Sequence, residues 1–343
     1  MITFKKTLPI LIVALMISCA DLLVSSTETN DNIEDFEIAW NAINSVYPLL
    51  DYKQIDWDNM YSVYRLHAEQ SRGDEIQKII YDLLKELQDF HVLIMSNGGG
   101  QIIPYIPPRV LKDKNAYHPL VVRNYFDREL KLACLNGVEY EIMDNNIGYM
   151  AIAHFNGDNL LDDFHIVMDY IKNTKGLIID VRGNSGGSSS NYDGVVSRFI
   201  NTPLEYLKTF SKGEVPWGGE PIMPNREYFS YTNPVVILIN GASLSGGEVF
   251  PELMKKLPNV TLIGDTTAGA AASDYGDDNI QGEFKLSCGL TIRISTVYVT
   301  RDDGLPIEWN GVLPDILIPQ SANDINNKND KQLDYAIQFL NDL

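Results

Sequence analysis

The sequence predicts an α/β protein, with a core of repeated strand–helix units preceded by an N-terminal helical region. Two apolar runs, GLIIDV at 176–181 and PVVILIN at 234–240, are continuous rather than alternating, as strands are when both faces of a sheet are covered. The run at 176–181 follows LLDDFHIVMDYIKN, whose Leu160, Leu161, Phe164, Val167, Met168 and Ile171 mark one helical face. A glycine-rich polar stretch then leaves each strand, DVRGNSGGSSSNYDG at 180–194 and ASLSGGE at 242–248. Strand, turn and helix in repeated order imply a sheet sandwiched by helices.

The elements follow in chain order. Between residues 34 and 90, FEIAWNAINSVYPLL, WDNMYSVYRLHAEQ and DEIQKIIYDLLKELQDF read as helices; in the third, Ile76, Ile79, Ile80, Leu83, Leu84 and Leu87 recur at helical spacing. Over 101–145 the pieces YIPPRVL, HPLVVRNYF and LKLACLNGVEYEI suggest short strands broken by prolines. From 147 the strand–helix alternation runs through IGYMAIAHF, DGVVSRFI, VFPELMKKL, VTLIGD and LTIRISTVYVT, and KQLDYAIQFLNDL closes the chain as a docking helix. The expected division is a signal segment at 1–18, a tether at 19–33, a helical region at 34–95, a β-rich connection at 96–145, a core at 146–320 and a C-terminal helix at 321–343.

Composition bounds the function. With 343 residues, 45% of them hydrophobic, the chain is long enough for a large buried core. A net charge of −19 argues against a protein that tracks nucleic-acid phosphates, which needs clustered Lys and Arg. The first eighteen residues combine a basic start, MITFKK, with an apolar run too short to span a membrane, ending before Cys19. This resembles a bacterial lipoprotein signal with Cys19 as the lipidated first residue, which implies a cell-envelope protein attached to the membrane through its N-terminus. Met16, three places before Cys19, keeps an ordinary secretory signal open as the alternative. Cys134 and Cys288 lie in alternating or apolar segments and read as buried free thiols. CxxC and HExxH motifs are missing, so neither metal nor cofactor is expected.

The glycine-rich turn at 180–194 lacks GxxxxGK[ST] and GxGxxG spacing, so its converging N–H groups suit an oxyanion better than a nucleotide; the bland reading is a turn needing positive φ at Gly183, Gly186 or Gly187. Ser245 and Glu248 match a capping box, which alone makes Ser245 a structural cap. A serine at a helix start is also where a nucleophile gains from backbone donors. Pro251 falls in the second turn of that helix and should bend it. Of the five histidines, His67 and His165 lie in helical patterns, His118 precedes a proline and His154 ends a strand. His91 stands apart, because DFH ends a long amphipathic helix just before a glycine loop.

Together LKELQDFH, GLIIDVRGNSGG, PVVILINGASLSGGE with LIGDTTAG, and GLPIEWNGVLPDI resemble, in order and spacing, the tail-specific or carboxy-terminal processing serine peptidases, which include the tricorn core. The resemblance implies a ClpP/crotonase-like core and hydrolysis of peptides or unfolded protein tails. It makes Ser245 the nucleophile, leaves Ser243 as a turn residue, and assigns the oxyanion hole to Gly246 and Gly183, with Gly187 as a further candidate. Tail-specific members use a lysine directly after the glycine corresponding to Gly269, where this chain has Ala270. Tricorn-like members use a histidine before the core and a glutamate near the end, positions matched by His91 and Glu308. Residues 92–147 are too few for the PDZ module of many tail-specific members, so it is expected to be missing. The alternatives are an inactive peptide- or ligand-binding lipoprotein on the same fold, or an esterase using the same serine. The preferred peptide and the oligomeric state are not encoded legibly.

Overall fold

The computed structural model describes residues 29–133, 137–274 and 282–343. The signal segment, Cys19 and Cys134 lie outside the described residues. Strands in chain order are β1 (Leu93–Ser96), β2 (Gln101–Ile102), β3 (Lys131–Ala133), β4 (Val138–Ile142) and β5 (Ile147–Ile152). There follow β6 (Gly176–Asp180), β7 (Lys208–Ser211), β8 (Trp217–Gly218), β9 (Val235–Ile239) and β10 (Val260–Gly264). The last are β11 (Glu283–Lys285), β12 (Leu290–Arg293), β13 (Val297–Val299) and β14 (Ile316–Leu317).

The central seven-stranded sheet has the order β14-β10-β9-β6-β5-β4-β3. It is parallel from β14 to β5 and antiparallel at β4 and β3. Every residue of β6 and β9 is buried, which is why both read as unbroken apolar runs. Alternate side chains go to opposite faces. Leu177, Ile179, Ile237 and Ile239 join the core beneath the helices Leu160–Ile171, Ser189–Val196 and Gly246–Met254, whereas Ile178, Val236 and Leu238 meet Leu333, Ala336 and Leu340 of the C-terminal helix Lys331–Asp342. Each such fully buried side chain contributes about 1.5–3 kcal/mol.

A second core lies under the N-terminal helices Thr29–Val46, Trp57–Gln70 and Glu75–Lys85, where Phe36, Trp40, Ile43, Ile80 and Leu84 pack with Ile94, Leu290 and Ile292 of the antiparallel sheet β11-β12-β1-β2. The first helix begins inside the stretch assigned to the tether, because Asn32 is buried there and donates to Ser71 Oγ at 2.9 Å. The third ends earlier than its periodicity suggests: Gln88, with φ 48°, reverses the chain, and His91 sits in the turn before β1 rather than on a helix.

The β-rich connection needs correcting as well. Pro108–Asp113 and Pro119–Val122 are helices, not proline-broken strands. In each, proline occupies the first turn, where its fixed φ is already helical and its missing N–H leaves no bond unmade. The helix Gly246–Met254 likewise continues through Pro251. Cys288 is a buried free thiol.

Candidate active site

Ser245 leads from β9 into the helix Gly246–Met254 with φ 53° and ψ −120°. Such a backbone costs a non-glycine residue about 1–3 kcal/mol and persists only where its surroundings fix it. Here Leu244 N–H donates to Asn184 O at 2.8 Å, Ser245 N–H to Ala270 O at 3.0 Å, and Gly247 N–H to Leu244 O at 2.7 Å. The Ser245 hydroxyl makes no cap bond, so the capping-box reading fails. Glu248 is instead buried and accepts from Thr267 Oγ1 at 2.5 Å and from the N–H groups of Gly269 and Ala270 at 2.7 Å each. Burial pushes its carboxyl up to about 7, against those three donors and the Ser245 N–H. It braces the loop at 267–270 against the helix Gly246–Met254.

The glycine-rich turn lies directly over this helix start. A Cβ on Gly186, at φ 85°, would stand 2.6 Å from Ser245 Cβ, and one on Gly187, at φ 141°, 2.4 Å from the Phe155 carbonyl carbon. Only glycine permits both the torsions and the approach. The donors divide clearly. Gly183 N–H is taken by Asn240 Oδ1 at 3.1 Å and Gly186 N–H by Asn184 Oδ1 at 2.8 Å. Gly246 and Gly187 N–H meet no acceptor among the described residues. Gly183, expected as a donor, thus has its N–H occupied, whereas that of Gly187 is open, and the Gly187 carbonyl oxygen lies 3.2 Å from where a Gly246 Cβ would be. Ser243 is the expected turn residue, its hydroxyl donating to Val181 O at 2.8 Å.

His118, His154 and His165 use Nδ1 locally: it accepts from Leu120 N–H, accepts from Asn156 N–H, and pairs with Arg198 Nη1. His91 Nδ1 is buried with no hydrogen-bond partner among the described residues. Burial holds the His91 ring below the ordinary histidine value; Asp89 and Asp274 oppose that shift and Arg293 adds to it. The ring is thus neutral at pH 7, as a proton acceptor must be. Its backbone N–H donates to Asp89 Oδ1 at 2.8 Å, and the same buried carboxylate faces the Tyr47 hydroxyl. No hydrogen bond joins His91 to Ser245 among the described residues; both flank the segment 270–274, through Ala270 and Asp274.

Glu308 is 1% exposed, not the solvent-facing carboxylate its loop position also allowed. It accepts from Lys53 Nζ at 3.0 Å and from Ala271 and Ala272 N–H at 3.0 and 3.1 Å. Burial and then the Asp89 carboxylate push its carboxyl upward, while Lys53 pulls it down. Three donors aimed at two oxygens bind the carboxylate form. Ala270, at the position of the family lysine, is fully buried, and its backbone is spent on Glu248 and Ser245. Sequence reasoning missed Lys53, Asp89, Asn184 and Asn240. Asp89, two residues before His91, Asn184, inside RGN, and Asn240, at the end of PVVILIN, stood in quoted motifs; Lys53 did not.

A strained serine at a strand-to-helix turn, roofed by a glycine turn with free N–H groups, is the arrangement of a serine hydrolase site. The chain belongs to peptidase family S41, whose model matches residues 146–318. Carboxy-terminal processing protease CtpA of Bacillus subtilis is 27% identical over 178 residues, 51% of this chain and 36% of that protein. A tricorn protease homolog of Saccharolobus solfataricus is 28% identical over 270 residues, 78% of this chain and 22% of that protein. The matches thus span well under half the length of these curated relatives. A solved structure of a candidate peptidase from Parabacteroides merdae superposes with a TM-score of 0.77 at 25% identity, covering 92% of this chain and 97% of that one. Mature CPAF, at 14% identity and a TM-score of 0.66 to 0.67, shares the fold.

Proposed function

We propose that this protein is a serine peptidase that hydrolyses peptides or unfolded protein tails. Ser245 Oγ attacks the scissile carbonyl carbon as His91 takes its proton, and the carbonyl oxygen becomes an oxyanion held by Gly246 and Gly187 N–H. The C–N bond then breaks, His91 returns the proton to the leaving amine, and water releases the acyl group by the same steps. Each oxyanion donor contributes on the order of 3 kcal/mol to the barrier lowering. Glu308 supports the loop behind the nucleophile and touches no substrate. The observation that carries the reading is the strained Ser245, whose hydroxyl is left out of helix capping beneath an open pair of backbone donors.

A fluorophosphonate probe tests it: labelling of the purified chain that disappears in Ser245→Ala is expected, and a folded chain that never labels sinks the enzyme reading. The unbonded Ser245–His91 pair and Ala270 favour, as second reading, a peptide-binding protein that never turns over. Under that reading Ser245→Ala and His91→Ala both keep peptide binding while no hydrolysis is seen. We also propose lipid attachment at Cys19 and residence in the bacterial cell envelope; metabolic labelling with a palmitate analogue that persists in Cys19→Ser excludes that anchor.

A further inference from the structure

Lys53 is a solitary cation in the turn DYKQ, far in sequence from every motif of the site. Its side chain is nonetheless 2% exposed. The ammonium donates to Leu87 O at 2.9 Å, Gln88 O at 2.9 Å and Glu308 Oε1 at 3.0 Å. An ammonium has three donors and no acceptor, so all of its capacity is spent. Lys53 is therefore not a stand-in for the base that Ala270 cannot supply.

Its partners belong to the two halves of the proposed machinery. Leu87 and Gln88 open the turn that continues into Asp89 and His91, where Asp89 Oδ1 holds the His91 N–H. Glu308 grips the N–H groups of Ala271 and Ala272, and the residue before them, Ala270, accepts the Ser245 N–H. We propose that Lys53 is a positioning residue, its ammonium fixing the His91 turn against the Ser245 loop through Glu308. This inference rests on the Ser245–His91 reading above.

Proton transfer between two side chains on separate segments depends steeply on their separation, and a misplacement of about 1 Å costs about a hundredfold in rate. Without the ammonium, Gln88 O loses its donor, Leu87 O keeps only the longer bond from the Tyr47 hydroxyl at 3.3 Å, and the turn is free to shift, although no atom that touches substrate has been removed. The loss should then appear in the bond-making step and not in probe binding.

The test compares the full chain with Lys53→Met, Glu308→Gln and the double variant, measuring fluorophosphonate inactivation (kinact and KI) and thermal unfolding. Lys53→Met should lower kinact by about 10- to 100-fold with KI changed less than about threefold. The double variant does not leave Glu308 as a buried carboxylate without its cation, so it should recover unfolding temperature but not kinact. Because the two residues act as one unit, its loss should be close to that of Lys53→Met and not the product of the single losses.

A folded Lys53→Met or double variant with wild-type kinact overturns the proposal. Failure of both to fold overturns it too, since Lys53 would then serve stability alone. The two readings fail separately: a wild-type chain that never labels removes the peptidase, whereas equal labelling of wild type and Lys53→Met removes only this role for Lys53.

Discussion

Two buried cations tie the ends of this chain to its centre, and they are finished differently. Arg182 spends Nε on Asp180 Oδ1, Nη1 on Asp330 Oδ1 and Gln332 Oε1, and Nη2 on Asp180 Oδ2 and Asp330 Oδ2, at 2.7–3.1 Å. All five donors are used, and the cluster clamps the start of the C-terminal helix to the end of β6. Lys53 is just as complete in itself, but the turn it holds leaves His91 Nδ1 buried without a hydrogen-bond partner among the described residues. Such an atom costs about 1–3 kcal/mol. The closed network holds the fold; the open one holds the turn that carries His91, the base of the proposed mechanism.

The strongest way to break this contrast is His91→Ala. It should lower inactivation by fluorophosphonate or peptide turnover by about 10²–10⁴-fold with the unfolding transition nearly unmoved. A mutant that keeps wild-type rates would place His91 with the structural residues. Arg182→Met should do the opposite, removing about 3–5 kcal/mol of stability because two buried carboxylates lose their partner. Urea midpoints measure that loss, and labelling per folded molecule should stay at the wild-type level.

A subtler distinction lies in pH. Since burial holds His91 below 6.5 in the folded chain, the neutral base should persist below that value, and the acid limb of kcat/KM should fall under pH 6.5. The unfolded chain binds this proton more readily, so the associated stability is present above pH 6.5 and is lost as pH drops through the lowered folded value. An acid limb above 6.5 would show a different group titrating.

The smallest effect concerns Asp193, whose Oδ1 is buried without a partner among the described residues and whose carboxyl burial pushes up to about 7. An acid raised in this way contributes stability below its unfolded value of 3.8 that is lost as pH rises through about 7. Asp193→Asn should therefore raise the unfolding temperature at pH 8 and leave it unchanged near pH 3, with melting curves at both values as the check.

What the sequence made legible follows local physics. β6 and β9 were readable because burial on both faces removes polar residues from the run, and Ser245 because glycines crowd the turn around it. Pro108 and Pro119 misled because a proline's meaning depends on which turn of a helix it occupies. Gly183 and Gly187 could not be ranked without knowing that Asn240 consumes the first of the two N–H groups. Lys53 was invisible for a longer-range reason: its acid partner lies 255 positions away, and no local pattern announces such a pair.

That separation also sets a schedule for folding. Lys53 and His91 leave the ribosome well before Ser245, and Glu308 emerges later still, yet their bonds close only when all four segments meet. Non-local closures of this kind are slow and come late. Under the proposed reading, a nascent chain therefore carries Ser245 without the Lys53–Glu308 tie until residue 308 has arrived.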